Sequence, residues 1–115
     1  MTVAIFHNPR CNTSRTVLAA LREQDLDIRI VEYLKQPPDR AALVDLLRQL
    51  GIGPRGLIRR KETVYGQLLL DDPTLSDDRM IDAILAHPIL IERPIVITPK
   101  GARICRPVEK LAEIL

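Results

Sequence analysis

The sequence predicts an α/β fold: a β-α-β start, a helical middle and a β-β-α close. Three observations carry this. A short apolar run opens the chain, three segments repeat their apolar residues at helical spacing, and the last third changes to short β runs around a turn. At 115 residues, 46% hydrophobic and 28% charged, the chain is long enough for one domain, expected over residues 1–115, and short for two.

Thr2 to Phe6 reads as a buried strand that Asn8 and Pro9 break. From Asn12 or Thr13 to about Gln24, Val17, Leu18 and Leu21 recur at the spacing of a helix packed on that strand. Ile28, Ile30 and Tyr33, alternating with Arg29 and Glu32, suggest a second strand, joined to the first by a parallel crossover. "PPDRAALVDLLRQLGIG" is a clear helix: Leu43, Leu46, Leu47 and Leu50 make its stripe, two prolines precede it and Gly51 stops it. The basic segment Pro54 to Glu62 reads as a turn of helix followed by a loop. In "SDDRMIDAILAHP", Ser76 is an N-cap, with Asp77 and Asp78 suited to the first turn and Pro88 beyond the end. Two β runs, Ile95 to Thr98 and Ala102 to Arg106, flank the turn Pro99-Lys100-Gly101, and Val108 to Leu115 closes as a helix. A parallel crossover and a hairpin in one sheet make it mixed.

Composition excludes several classes. The net charge is +2 and the basic residues are scattered, with only Phe6, Tyr33 and Tyr65 as aromatics. That is no footprint for nucleic acid. No segment approaches the roughly 18 apolar residues of a membrane span, and the first residues read as strand, so no membrane association and a cytoplasmic location are expected. Cys11 and Cys105 lie far apart, which suits free thiols in a reducing compartment.

The chemistry concentrates in "HNPRCNTSR", His7 to Arg15. Cys11 falls where the first strand hands over to the first helix, so the N–H groups of Asn12, Thr13 and Ser14 face its sulfur and favour thiolate. His7, Arg10 and Arg15 are close enough in sequence to add positive potential. A lone cytosolic cysteine is more often a small buried hydrophobe; the polar, proline-containing turn after a strand argues for reactivity instead. Residue 14 is Ser, so no resolving thiol follows. If the last β run is extended, Cys105 and Arg106 point to opposite faces, which leaves Cys105 as packing. A thiolate among N–H donors suits a disulfide exchanger or a nucleophile toward an oxyanion. Arginines favour the oxyanion, because planar, permanently charged donors match it. Arg93 before Pro94, Arg106 before Pro107, and Arg59 in the basic segment are the candidates, although each taken alone is an ordinary surface charge.

"HNPRCNTSR", "LLRQLGIGPRGLIRRKE" and "ILIERPIVITPKGARICRP" together resemble the glutaredoxin-coupled arsenate reductases, thioredoxin-like proteins with a helical insertion, over essentially the whole chain. The resemblance places Cys11 on the nucleophile and His7 on the histidine that helps lower its pKa. It places Arg59, Arg93 and Arg106 on three oxyanion-binding arginines, with Asn12, Thr13, Ser14 and Arg15 in the nucleophile loop. Asn12 stands where the best-known members carry glycine. Arg59 rather than Arg60 keeps the family's spacing from Arg55, and the Arg93–Pro94 bond is implied to be cis. The implied activity is an oxidoreductase that turns arsenate into arsenite for arsenic detoxification. Cys11 attacks arsenic, glutathione serves as reducing co-substrate, and glutaredoxin clears the mixed disulfide. No metal or bound cofactor is implied, phosphate or sulfate would mimic the substrate, and a monomer is expected. Two other readings fit the same fold: a monothiol oxidoreductase acting on glutathione mixed disulfides, and a non-enzymatic redox or regulatory binding protein, which typically carries C-x-x-C.

Overall fold

A computed structural model describes residues 1–115 as two compact units. The first comprises Met1–Gln36 and Arg93–Leu115, the second Pro37–Glu92.

The first unit is a four-stranded sheet. Its strands are β1 (Thr2–Phe6), β2 (Asp27–Val31), β3 (Ile95–Thr98) and β4 (Gly101–Ile104), in the order β2-β1-β3-β4. β1 runs parallel to β2, Thr2 opposite Asp27, and antiparallel to β3, Ile5 opposite Val96. The hairpin sets β3 antiparallel to β4, so the sheet is mixed as expected. Alternation along β1 buries Val3 and Ile5. They join Val17, Leu18 and Leu21 of α1 (Asn12–Arg22), Val96, Cys105, Leu111 and Ile114 in one apolar cluster. Each such side chain removed from water contributes about 1.5–3 kcal/mol, which fixes α1 against the sheet and with it the turn that precedes the helix.

The boundaries differ from expectation in three places here. β2 ends at Val31, so Tyr33 lies beyond the strand, fully buried and stacked on Phe6 with ring centroids 6.4 Å apart. β4 starts at Gly101 and stops at Ile104. Thr98 pairs with Gly101 across a two-residue turn, and Gly101 takes a φ of 140° that a side chain would oppose. The closing segment is a 3-10 helix, Val108–Glu113, rather than an α-helix. Its bonds from Lys110 N–H to Pro107 and from Ile114 N–H to Leu111 span three residues each.

The second unit is helical: α2 (Arg40–Leu50), α3 (Pro54–Leu57), α4 (Thr63–Gln67) and α5 (Asp77–Ala86). α5 packs on α2 and α3, burying Met80, Ile81 and Ile84. Asp39 and Ser76 cap α2 and α5, accepting from the N–H groups of Ala42 and Arg79. α4 occupies sequence expected to be loop. Arg55 holds the chain after it by donating to the carbonyls of Leu70, Asp72 and Leu75 at 3.3, 2.8 and 3.0 Å.

Candidate active site

Cys11 is the N-cap of α1 in extended backbone (φ −90°, ψ 123°). The turn that delivers it is tied at both ends. The Cys11 N–H donates to the carbonyl of Asn8 at 3.0 Å, and the Arg10 N–H to the Asn8 side-chain oxygen at 3.0 Å. Such self-bonding turns are the habit of asparagine. Ser14, fully buried one turn into α1, fixes the other side: its Oγ accepts from the Asn8 N–H at 3.1 Å and lies 2.6 Å from His7 Nδ1.

The sulfur is half-buried and its pKa is lowered. Burial opposes ionisation most strongly. It is outweighed by the Ser14 N–H directed at the sulfur and then by the guanidinium groups of Arg106 and Arg93. No closed side-chain cap bond forms at α1, so the thiol sulfur stays available for chemistry. Arg106 Nη1 donates to Cys11 Sγ at 3.7 Å and to the Arg93 carbonyl at 3.1 Å, which locks the two arginine positions together. Arg93 is itself buried, and the Arg93–Pro94 bond is cis, as is Arg106–Pro107.

The other sequence candidates divide. His7 was expected to add positive charge. Instead its pKa is lowered, first by burial, with Glu32 opposing and Arg22 and Arg15 assisting. The ring is therefore neutral at neutral pH, and its contact is with Ser14 Oγ. Arg15 braces the loop from outside, donating to the Pro9 carbonyl at 2.9 Å and to Asn12 Oδ1 at 2.7 Å, so the Asn12 side chain is turned toward Arg15. Thr13 is half-buried in the first turn of α1. Arg59 belongs to the second unit, where Glu62 lies 3.2 Å from its Nε and Glu92 3.1 Å from its Nη1. Cys105 is fully buried in the apolar cluster, and burial pushes its thiol up to about 11. Its role as packing is borne out.

The sequence matches the ArsC family over residues 6–114. The chain belongs to the ArsC family. It is 49% identical over 115 residues to an arsenate reductase of Rhizobium meliloti strain 1021, covering all of this chain and 82% of the relative. An arsenate reductase of Neisseria meningitidis serogroup A is 42% identical over 114 residues, covering 98% of this chain and 97% of the relative. The solved arsenate reductase from Vibrio cholerae superposes with a TM-score of 0.95 at 44% identity, covering 100% of this chain and 98% of that one. The thioredoxin-like α/β fold expected for an ArsC protein is therefore the fold found.

Three residues of this ArsC chain that hold candidate groups in place were missed: Asn8 under the Cys11 turn, and Glu62 and Glu92 on Arg59. Asn8, buried beneath the turn, was read only as a strand breaker; an Asn-Pro pair immediately before a candidate nucleophile was the available signal. Glu62 and Glu92, which pair with Arg59, carry no signal in sequence, because one of them is 33 residues away.

Proposed function

We propose that this chain is an arsenate reductase acting through Cys11. The observation that carries this reading is a half-buried thiol of lowered pKa, with Arg106 Nη1 3.7 Å from its sulfur and buried Arg93 beside it. A thiolate and an arsenate are both anions, so attack requires fixed positive charge at the meeting point, and arginine keeps its charge throughout. Cys11 Sγ bonds to arsenic as an arsenate oxygen leaves as water, with Arg93 and Arg106 as the oxyanion-binding groups. Glutathione then attacks. Its sulfur and Cys11 Sγ become joined in a disulfide, the two thiols supply the two electrons, and arsenic leaves as arsenite. Glutaredoxin takes the glutathionyl group and restores Cys11. Ser14 in place of a resolving cysteine supports an external thiol for this step. The two free cysteines suit a reducing, cytoplasmic setting.

The test is NADPH consumption with arsenate, glutathione, glutaredoxin and glutathione reductase. Turnover is expected for the wild type and lost in Cys11→Ser and Arg93→Ala. A wild type inert toward arsenate but active on a glutathione mixed disulfide would overturn the proposal and make the chain a monothiol exchanger.

A further inference from the structure

We propose that Asn12 and Arg15 are positioning residues for Cys11: the Arg15 guanidinium bridges the Pro9 carbonyl and the Asn12 side chain, closes the nucleophile turn from its outer face and so fixes the direction of the thiol. The inference rests on the reading of Cys11 as a nucleophile and not on the identity of the anion that it attacks.

The first turn of α1 lacks its ordinary fastening. A helix start is normally closed by an oxygen-bearing side chain at the N-cap, which accepts from a free N–H of the first turn. Cys11 occupies that place and makes no such bond. The cap-forming residues that follow are used elsewhere. The Ser14 hydroxyl meets His7 and the Asn8 N–H, and the Asn12 oxygen accepts from Arg15 Nη2 at 2.7 Å. No acidic residue in the first turn balances the helix dipole, and Arg15 closes that turn as a cation at the end where the dipole disfavours one. Helix stability does not account for Arg15. Its two bonds do.

The bridge spans the turn. Pro9 precedes Arg10 and Cys11 and Asn12 follows them, so one planar fork ties the two sides of the nucleophile together. Pro9 has no N–H, which leaves its carbonyl as the handle by which its backbone is held, and Arg15 Nη1 takes it at 2.9 Å. The fork starts from a firm base. The Arg15 N–H donates to the Cys11 carbonyl at 3.0 Å, and α1 is packed through Val17, Leu18 and Leu21. Asn8 and Ser14 fasten the turn from inside. Without the outer bridge Cys11 would be free to swing about that inner edge, and its sulfur would lose alignment with the Ser14 N–H. The bridge also keeps the Asn12 oxygen, the negative end of an amide dipole, from turning toward the thiolate. Arg15 is not among the groups that act most strongly on the sulfur, which are the Ser14 N–H, Arg106 and Arg93, so its influence runs through geometry and not through charge.

The experiment measures the rate of Cys11 alkylation by iodoacetamide against pH for Asn12→Ala, Arg15→Lys and the double variant. Each single variant should slow alkylation at neutral pH about threefold and raise the pH midpoint by about half a unit. Arg15→Lys separates geometry from charge, because lysine keeps the charge and offers a point donor in place of the fork. The double variant should react no more slowly than either single one, since both remove the same bridge. Urea midpoints should stay close to the wild type, because Asn12 and Arg15 are both exposed. In the coupled assay the same variants should lower kcat with little change in the KM for arsenate. Wild-type alkylation by Arg15→Lys, or single effects that add in the double variant, would overturn the bridge. Slower alkylation matched by a loss of urea stability would overturn it too, in favour of a merely structural role. A wild type inert toward arsenate whose alkylation still depends on both residues would sink the activity and leave the bridge standing. Arsenate turnover and alkylation indifferent to both variants would do the reverse.

Discussion

The two cysteines of this chain are chemically opposite, and the contrast is measurable. Cys11 ionises more readily than an ordinary thiol, while burial raises Cys105 to about 11. Iodoacetamide at neutral pH should therefore add one label, on Cys11, as read by peptide mass spectrometry. Arg106→Ala should slow that labelling and move its pH midpoint upward, because a group that stabilises the thiolate is gone. A midpoint unchanged in Arg106→Ala would show that the 3.7 Å contact does not govern the thiol. Ser14 is the second test at this scale. Ser14→Ala leaves His7 Nδ1 and the Asn8 N–H without their buried partner, at a cost of roughly 1–3 kcal/mol in urea denaturation. Cys11 was legible as a candidate nucleophile from its place between strand and helix, while Arg93 and Arg106 were singled out by the family resemblance and lie beside its sulfur in the fold. The work of Ser14 was not legible, because a serine beneath a turn acquires its role only when folding brings His7 and the Asn8 N–H to it.

At the scale of elements, two helices end in the same way with different residues. At the end of α2, Gly51 has a φ of 69°, with bonds from the Gly51 and Ile52 N–H groups to the Arg48 and Leu47 carbonyls. At the end of α4, Leu69 takes a φ of 54°, with equivalent bonds from Leu69 to Gly66 and from Leu70 to Tyr65. This is the Schellman arrangement, in which glycine is preferred because a side chain is strained there. Leu69 is 69% exposed, so its side chain offers little packing in return. Leu69→Gly should raise stability by about 1 kcal/mol and Gly51→Ala lower it by about as much, both read from thermal or urea unfolding. Equal and negligible effects would mean that the bonds, and not the backbone conformation, decide these ends. The long helices were legible from periodicity, caps and stop signals. α4 was not, since "TVYGQ" has no apolar stripe and holds a glycine. It is secured by the hydrogen bonds that Arg55 makes from α3 to the carbonyls beyond it.

At the scale of the whole molecule, the element order was readable from the β-α-β start and the hairpin, whereas the order β2-β1-β3-β4 was not. Which edge of β1 receives the hairpin depends on Ile5 meeting Val96 across the sheet, a contact between residues 91 positions apart. Global stability should carry the mark of Cys105. The fold favours its protonated form, so the contribution is complete below about pH 9, the ordinary thiol value, and declines as the pH rises toward 11. The full loss is roughly 2–3 kcal/mol at 1.36 kcal/mol per pKa unit. Cys105→Ala should flatten that decline in urea denaturation between pH 8 and 11; an unaltered decline would assign it to other groups. Finally, the candidate nucleophile, Cys11, is also the residue from which α1 begins. A thiolate at that position is a negative charge at a positive helix end, worth about 0.3–1 kcal/mol, and a disulfide or thioether is not. Each stage of turnover therefore tightens or loosens the first turn of the helix. Amide hydrogen exchange at Thr13, Ser14 and Arg15 should run roughly two- to five-fold faster once the sulfur is capped, so the covalent state of one atom becomes readable in the breathing of the backbone.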